Sequence, residues 1–422
     1  MQYIVNYNIF LRKSDCNIAT VVLSISITLQ ITLTKKVIIS YIILDASQSK
    51  ITWKEFWNYF IIKTPKHWPA FSDILHIQSS LICKLSGIDP FITNPCEFKN
   101  IRYQYPITWL FVFEYLNLDN ENNFRIFIFF ILSFLFLTYF LLLEISKNKF
   151  NKIILILLFF STSSTLVIER GNVDLLIFSL TSLIVLFPSY YVSLFIISGL
   201  SLLKVYPFFL FFYLLAKKDK KIITISIMLL VIYFIYEVSI AKYIDKNHSI
   251  MALSQSYGVQ SITEGIFKTL EKTNFAFITE NQKNIIRLIC SLVFLLISIL
   301  FFLTGINSNK KIDFLNKDIQ KNLFTLGATI YIGSYIFYSN VDYRLIFLFF
   351  TIPFMENFSK KVNYAYCFSI FIISNSFFLS FAPLTIEHII YTSILYLIKL
   401  FLVFFLAFYL GILNKDFFKL KS

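Results

Sequence analysis

The sequence predicts an all-α polytopic membrane protein, a bundle of roughly 11–13 transmembrane helices with two long extracytoplasmic loops. Three observations predict it. Apolar runs of about 17–25 residues recur along the chain, each long enough to cross a hydrocarbon core. Hydrophobic residues make up 57% of the chain and charged ones only 15%, with a mean hydropathy of +0.71, where a soluble protein would carry more charge. The lysines gather in short connectors between apolar runs, as the positive-inside rule requires. The same distribution accounts for the net charge of +14. No helix-turn-helix, zinc finger or basic aromatic-interleaved segment accompanies it, so membrane lipids are expected as partners and nucleic acid is not. The 51 phenylalanines, beside abundant Ile, Lys and Asn, read as AT-rich coding and carry no functional weight.

Arg12 and Lys13 precede a first span at 18–44, in which Lys35 and Lys36 either snorkel outward or end the helix. With no small-residue cleavage site, this span reads as an anchor. An outer loop at 45–123 follows, too long for a mere connector. Within it Cys83 and Cys96 can form a disulfide if the loop faces an oxidising compartment. Spans follow at 124–143 and 153–168, separated by Lys147, Lys149 and Lys152. From Glu169 to the basic connector Lys217-Lys218-Asp219-Lys220-Lys221, three short crossings fit at 173–187, 191–203 and 206–216, and one full helix with a re-entrant pair fits equally well. Such short pieces are tolerated where they line a protein cavity. Further spans are expected at 222–240, 285–306, 323–338, 345–358, 362–381 and 387–412, with a second outer loop at 241–284. The whole chain, 1–422, reads as one membrane domain with both termini inside.

Four polar clusters interrupt this apolar pattern, and the charge-based topology puts all of them on the outer side. They are Asp73, Glu169-Arg170-Gly171-Asn172, Lys204-Val205-Tyr206-Pro207 and Asn340-Val341-Asp342-Tyr343-Arg344. Ionisable groups beside lipid are costly and need a reason. Asp73 can act as a general base or simply cap a helix. Asp45 and Asp89 are its rivals, although Asp89 before Pro90 reads better as a turn. Tyr103, Tyr105, Pro106 and Trp109 fit an interfacial segment, or a platform for a sugar ring. Gly171 and Asn172 open a helix that carries Asp174. Arg170 there can clamp a phosphate, or pair with Glu169 or Asp174. Lys204 can bind phosphate or pair with Asp174 or Asp342. Arg344 can be a further phosphate ligand oriented by Asp342, or the two can belong to an internal ion pair that joins helices. His67 and His76 flank Asp73. No Walker loop, Asp-x-Asp, nucleophile elbow or zinc spacing is present, so no metal or cofactor is expected.

Gly171-Asn172-Val173-Asp174-Leu175-Leu176, followed by Lys204-Val205-Tyr206-Pro207 and a basic connector, resembles the pattern of glycosyltransferase family 87. The outer loop agrees, with Phe71-Ser72-Asp73, Gly87-Ile88-Asp89-Pro90-Phe91 and Tyr105-Pro106. The departures are Asp174, where the family more often has an amide, and the interrupted first span. The resemblance implies a multi-pass glycosyltransferase of the C-type (GT-C) fold in a bacterial inner membrane. Such an enzyme moves a hexosyl or pentosyl unit, with inversion, from a polyprenyl-phosphate sugar to a lipid or glycan acceptor on the extracytoplasmic face. Carried over, Asp73 is the catalytic base, and Arg170, Lys204 and Arg344 hold the donor phosphate. Glu169, Gly171, Asn172, Asp174, Tyr206, Asn340, Asp342 and Tyr105 line the site. A flippase of lipid-linked sugars is one alternative, but it needs charge through the depth of a cavity. A surface-polysaccharide polymerase or ligase is another, for which an outer loop rich in Arg and His would speak.

Overall fold

The computed structural model describes residues 71–422 except 98–99, 188, 216–218, 245–255, 273–278, 309–317, 338–339, 376–385 and 416–422. The predicted first span at 18–44, Asp45 and His67 lie outside the described residues. What is described is mostly helical. In chain order the helices are α1 (Ser72–Leu85), α2 (Thr108–Tyr115), α3 (Glu121–Ile145), α4 (Lys149–Phe159), α5 (Thr162–Glu169), α6 (Asp174–Leu186) and α7 (Tyr190–Leu203). A 3-10 turn at Tyr206–Leu210 runs into α8 (Phe211–Leu215), and α9 (Lys220–Ile244) follows. The second half holds strand β1 (Ser256–Tyr257), α10 (Val259–Lys272), α11 (Glu280–Asn307), α12 (Asp318–Phe337) and strand β2 (Asn340–Val341). A 3-10 helix at Asp342–Asn357, α13 (Lys360–Ser374) and α14 (Ile386–Leu413) complete it.

The helix starts follow from local chemistry. The Asn120 side chain accepts from the Asn123 N–H at 3.0 Å, and Asn148 accepts from Phe150 at 2.9 Å. Ser161 caps α5, and Thr279 with Gln282 forms a capping box on α11. Each cap satisfies an N–H that a helix's first turn leaves without an internal partner.

Among the described residues three stretches are long and apolar enough to cross a membrane: Arg125–Ile145, Glu280–Asn307 and Thr392–Leu413. Helices α4 and α5, bent by 41° at their junction, make a fourth if they form one span. Helices α6 and α7 have 13 and 14 residues. At 1.5 Å per residue each reaches about 20 Å, short of a core about 30 Å thick.

The 3-10 helix at Asp342–Asn357 is the core of the described fold. Leu345 to Phe350 are all buried, and so are Ile352, Phe354 and Met355. It packs against α3, α4, α5, α6, α12 and α13. As an α-helix its 16 residues would reach about 24 Å, whereas 3-10 winding extends them to about 32 Å. Its far end is tied down by Glu356, whose carboxylate accepts from the N–H groups of Lys147 at 2.9 Å and Asn148 at 3.1 Å, at the turn between α3 and α4.

Helices α11 and α14 pack against each other. At their crossing, a Cβ added to Gly411 would overlap the Phe302 carbonyl, and one added to Gly305 would overlap the Phe408 carbonyl. Small residues that bring backbones together drive helix pairing where lipid offers no hydrophobic contrast. Gly411→Ala is therefore expected to destabilise the protein by about 1–3 kcal/mol through overpacking. Thermal unfolding in detergent measures it, and an unchanged midpoint would mean that the two helices do not cross there.

Candidate functional site

The site begins where the end of one helix meets the start of another. The last carbonyls of α5 and the first N–H groups of α1 have no partners within their own helices. They satisfy each other: Phe71 N–H donates to the Glu169 carbonyl at 2.7 Å, and Asp73 N–H to the Arg170 carbonyl at 2.9 Å. Gly171 permits the approach. Its φ is +56°, and a Cβ there would lie 2.9 Å from a carbon of the Phe71 ring. Phe71 itself sits at φ 59°, a conformation that costs a residue with a side chain on the order of 1–3 kcal/mol.

This docking carries Asp73, in the first turn of α1, to Arg170. Arg170 Nε donates to both carboxylate oxygens at 3.1 Å, and Nη2 donates to Oδ1 at 2.7 Å. The Asn172 amide donates to Oδ2. Arg170 therefore pairs with Asp73. The Glu169 carboxyl is buried, and its Oε2 meets no donor.

Asn172 is the bridge to a second carboxylate. Its Oδ1 accepts from Lys204 Nζ at 3.1 Å and from the Asp174 N–H at 2.9 Å. The second bond is an Asx turn, which opens α6. The two sides fix the amide's orientation, since a flipped amide would set its oxygen against the Asp73 carboxylate.

Asp174 is fully buried. One oxygen takes Lys204 Nζ at 2.5 Å and the Tyr206 hydroxyl at 2.9 Å; the other takes Arg344 Nε at 3.0 Å. A carboxylate removed from water needs this density of donors. Lys204 can reach it because α7 stops at Leu203 and Lys204 is extended, at φ −159° and ψ 150°. Pro207, which has no N–H, bars a direct continuation of the helix. The Trp109 indole of α2 donates to the Leu203 carbonyl at 2.7 Å, satisfying that helix end. Two aromatic rings flank the cations. Lys204 Nζ lies 5.5 Å from the Tyr105 ring, and the Arg344 guanidinium lies 4.9 Å from the Tyr206 ring.

Arg344 also donates to Asn340 Oδ1, and the Asn340 amide donates to the Ser334 carbonyl at 2.5 Å. Asn340 lies in β2, opposite Tyr257 of β1. The result is one continuous polar chain through Arg170, Asp73, Asn172, Lys204, Asp174 and Arg344 to Asn340, with Tyr206 on Asp174. Tyr105 stands against it and Gly171 supports it.

Of the two readings of Asp342 and Arg344, the structure shows the internal ion pairs that join helices. Asp342 is buried and paired with Lys399 of α14 at 2.7 and 2.9 Å, while Arg344 pairs with Asp174. Trp109 and Tyr103 are buried, and the polar tip of each finds a carbonyl inside the protein. Asp89 behaves as the turn residue it resembles: it is exposed, and its side chain accepts from the Phe91 N–H at 2.9 Å.

Sequence reasoning missed Lys399, although one lysine inside a long apolar run is a signal in itself. It also missed Ser256 and Tyr257, for which no local pattern exists. His76, one turn after Asp73, stacks on Tyr103 at 5.9 Å. Burial pushes its imidazole below the usual histidine value, against the opposing pull of Glu97 and Asp73. Among the described residues no group of three or more His, Cys, Asp and Glu side chains is placed to hold a metal. No family model, no curated protein and no solved structure matches this chain.

Proposed function

We propose that the protein is a membrane glycosyltransferase of GT-C type. In this reading it moves a sugar from a polyprenyl-phosphate donor to a lipid or glycan acceptor, with inversion, at the outer face of a bacterial inner membrane. One observation carries it. Asp73, Arg170, Lys204 and Arg344, scattered over the sequence, belong to a single hydrogen-bonded network at the ends of helices. The leaving group in such a transfer is a lipid phosphate. Fixed cations at the membrane boundary stabilise its charge as it develops, and removing one such donor typically costs on the order of 10²–10³ in rate. Asp73, on a different helix from the cations, takes the proton of the acceptor hydroxyl. Helix α6 begins at Asp174 and α7 ends beside Lys204, and short, broken helices of this kind are tolerated where they line a cavity. A total of roughly 11–13 crossings belongs to this proposal.

The outer location draws support from the Cys83–Cys96 disulfide, whose Cα atoms lie 5.7 Å apart between α1 and the loop after it. Such bonds persist on the oxidising side of a membrane. In a background lacking Cys16, Cys290 and Cys367, Tyr115→Cys, at a position 85% exposed, is expected to react with an impermeant maleimide on intact cells. Lys360→Cys should react only after permeabilisation. The opposite pattern would put the network on the wrong side for this donor.

The functional test uses membranes supplied with a short polyprenyl phosphate carrying a radiolabelled sugar. Transfer moves label into a new product, while a flippase leaves it on the donor and changes only its leaflet. Label that stays on the donor in every membrane would end the glycosyltransferase reading.

A further inference from the structure

Both oxygens of the Asp73 carboxylate are occupied. Oδ1 accepts from Nε and Nη2 of Arg170; Oδ2 accepts from Nε and from Asn172. A general base has to come within hydrogen-bond reach of the proton it removes. The edge of Arg170 that grips Asp73 is also the edge a guanidinium uses to hold a phosphate in a two-bond fork. One edge cannot serve both anions fully at once.

We propose that the donor phosphate displaces Asp73 from Arg170, so that donor binding itself frees the base for the acceptor hydroxyl. This deepens the glycosyltransferase reading and rests on it for the identity of the phosphate. The exchange is of one anion for another on a standing cation, and no covalent bond changes.

The structure favours this pair over the other. Asp174 is enclosed by Lys204, Tyr206 and Arg344, and releasing it would leave two cations without their counter-ion. Arg170 is the most open of the three cations, with its side chain 27% exposed against 17% for Arg344 and 9% for Lys204. Asp73 also has somewhere to return to. Its backbone stays anchored by the bond from Asp73 N–H to the Arg170 carbonyl, whichever partner the side chain takes. The order of events follows. Donor arrives first, Arg170 changes partner, and Asp73 turns to the acceptor. An acceptor hydroxyl, water included, meets an engaged carboxylate until then.

The test is an affinity measurement that needs no turnover. Farnesyl phosphate is titrated into the purified full-length protein in detergent, with inorganic phosphate as a second probe to separate headgroup from chain. Asp73→Asn removes the competing charge and keeps an oxygen for Arg170, and it is expected to bind farnesyl phosphate at least about fivefold more tightly than wild type. Asp73→Ser, measured beside it, guards against a folding defect, and thermal unfolding checks both variants. Adding Arg170→Gln should erase the gain, because the two residues act on one contact. A gain with farnesyl phosphate alone means that the prenyl chain is needed for binding; a gain with both probes means that the headgroup suffices. Equal or weaker binding in both Asp73 variants overturns the exchange, as does a gain that survives Arg170→Gln, or no binding of either probe to any variant. Tighter binding by Asp73→Asn, together with no sugar transfer from any donor by wild type, would keep the exchange and sink the glycosyltransferase reading. Transfer by wild type with unchanged affinity in Asp73→Asn would do the reverse.

Discussion

Asp73→Asn is expected to reduce sugar transfer by about 10²–10⁴, the range over which a positioned base contributes. The protein should still fold and insert. The amide keeps the shape of the side chain and can still accept from Arg170, and the helix start is held by backbone bonds that the substitution leaves alone. Amounts in the membrane and thermal unfolding should therefore match wild type while turnover collapses. Wild-type turnover by Asp73→Asn membranes would remove Asp73 from the role of base. Among the acids that rivalled it in the sequence, Asp89 is spent on a surface turn.

Asp174→Leu is expected to have the largest effect on stability. Asp174 is fully buried and neutralises Lys204 and Arg344 together, whose side chains are 9% and 17% exposed. Removing one partner of a buried ion pair leaves an uncompensated charge and typically costs about 3–5 kcal/mol. The loss should appear as a lower unfolding midpoint in detergent and as less protein in the membrane. Asp174→Asn should cost less, because its amide oxygen can still accept from a cation. A midpoint unchanged in Asp174→Leu would mean that Lys204 and Arg344 find another anion or reach water. In that event the network is not the closed unit described above.

Much of the site was legible because charge beside lipid is conspicuous. Arg170, Lys204 and Arg344 each stand at the edge of an apolar stretch, Asp73 was singled out within the outer loop, and each lies in the network. Who pairs with whom was not legible. Arg170 precedes Asp174 by one turn, a natural local pair, yet the docking of α1 onto the end of α5 gives it Asp73 instead. Arg344 is two residues from Asp342, but Asp342 faces Lys399 on α14. These choices depend on contacts between residues far apart in the chain, which no local pattern encodes. The fold divides similarly. The positions of the longer helices followed from apolar runs and the lysines between them, whereas α1, α2 and α10 lie within the two stretches read as outer loops. The 3-10 winding of Asp342–Asn357 could not be read, because a uniformly buried run has no periodic face. Helices α6 and α7 were expected to be short and are, but length alone does not say whether they cross the membrane or turn back.

The most direct measurement is a single-turnover reaction with the purified protein in vesicles, a polyprenyl-phosphate sugar as donor and extracted membrane lipids and glycans as acceptors. Free polyprenyl phosphate should be released in step with a glycosylated product, and the new bond should have the anomeric configuration opposite to the donor's. A donor that stays intact, or a product that keeps its configuration, would contradict the glycosyltransferase reading.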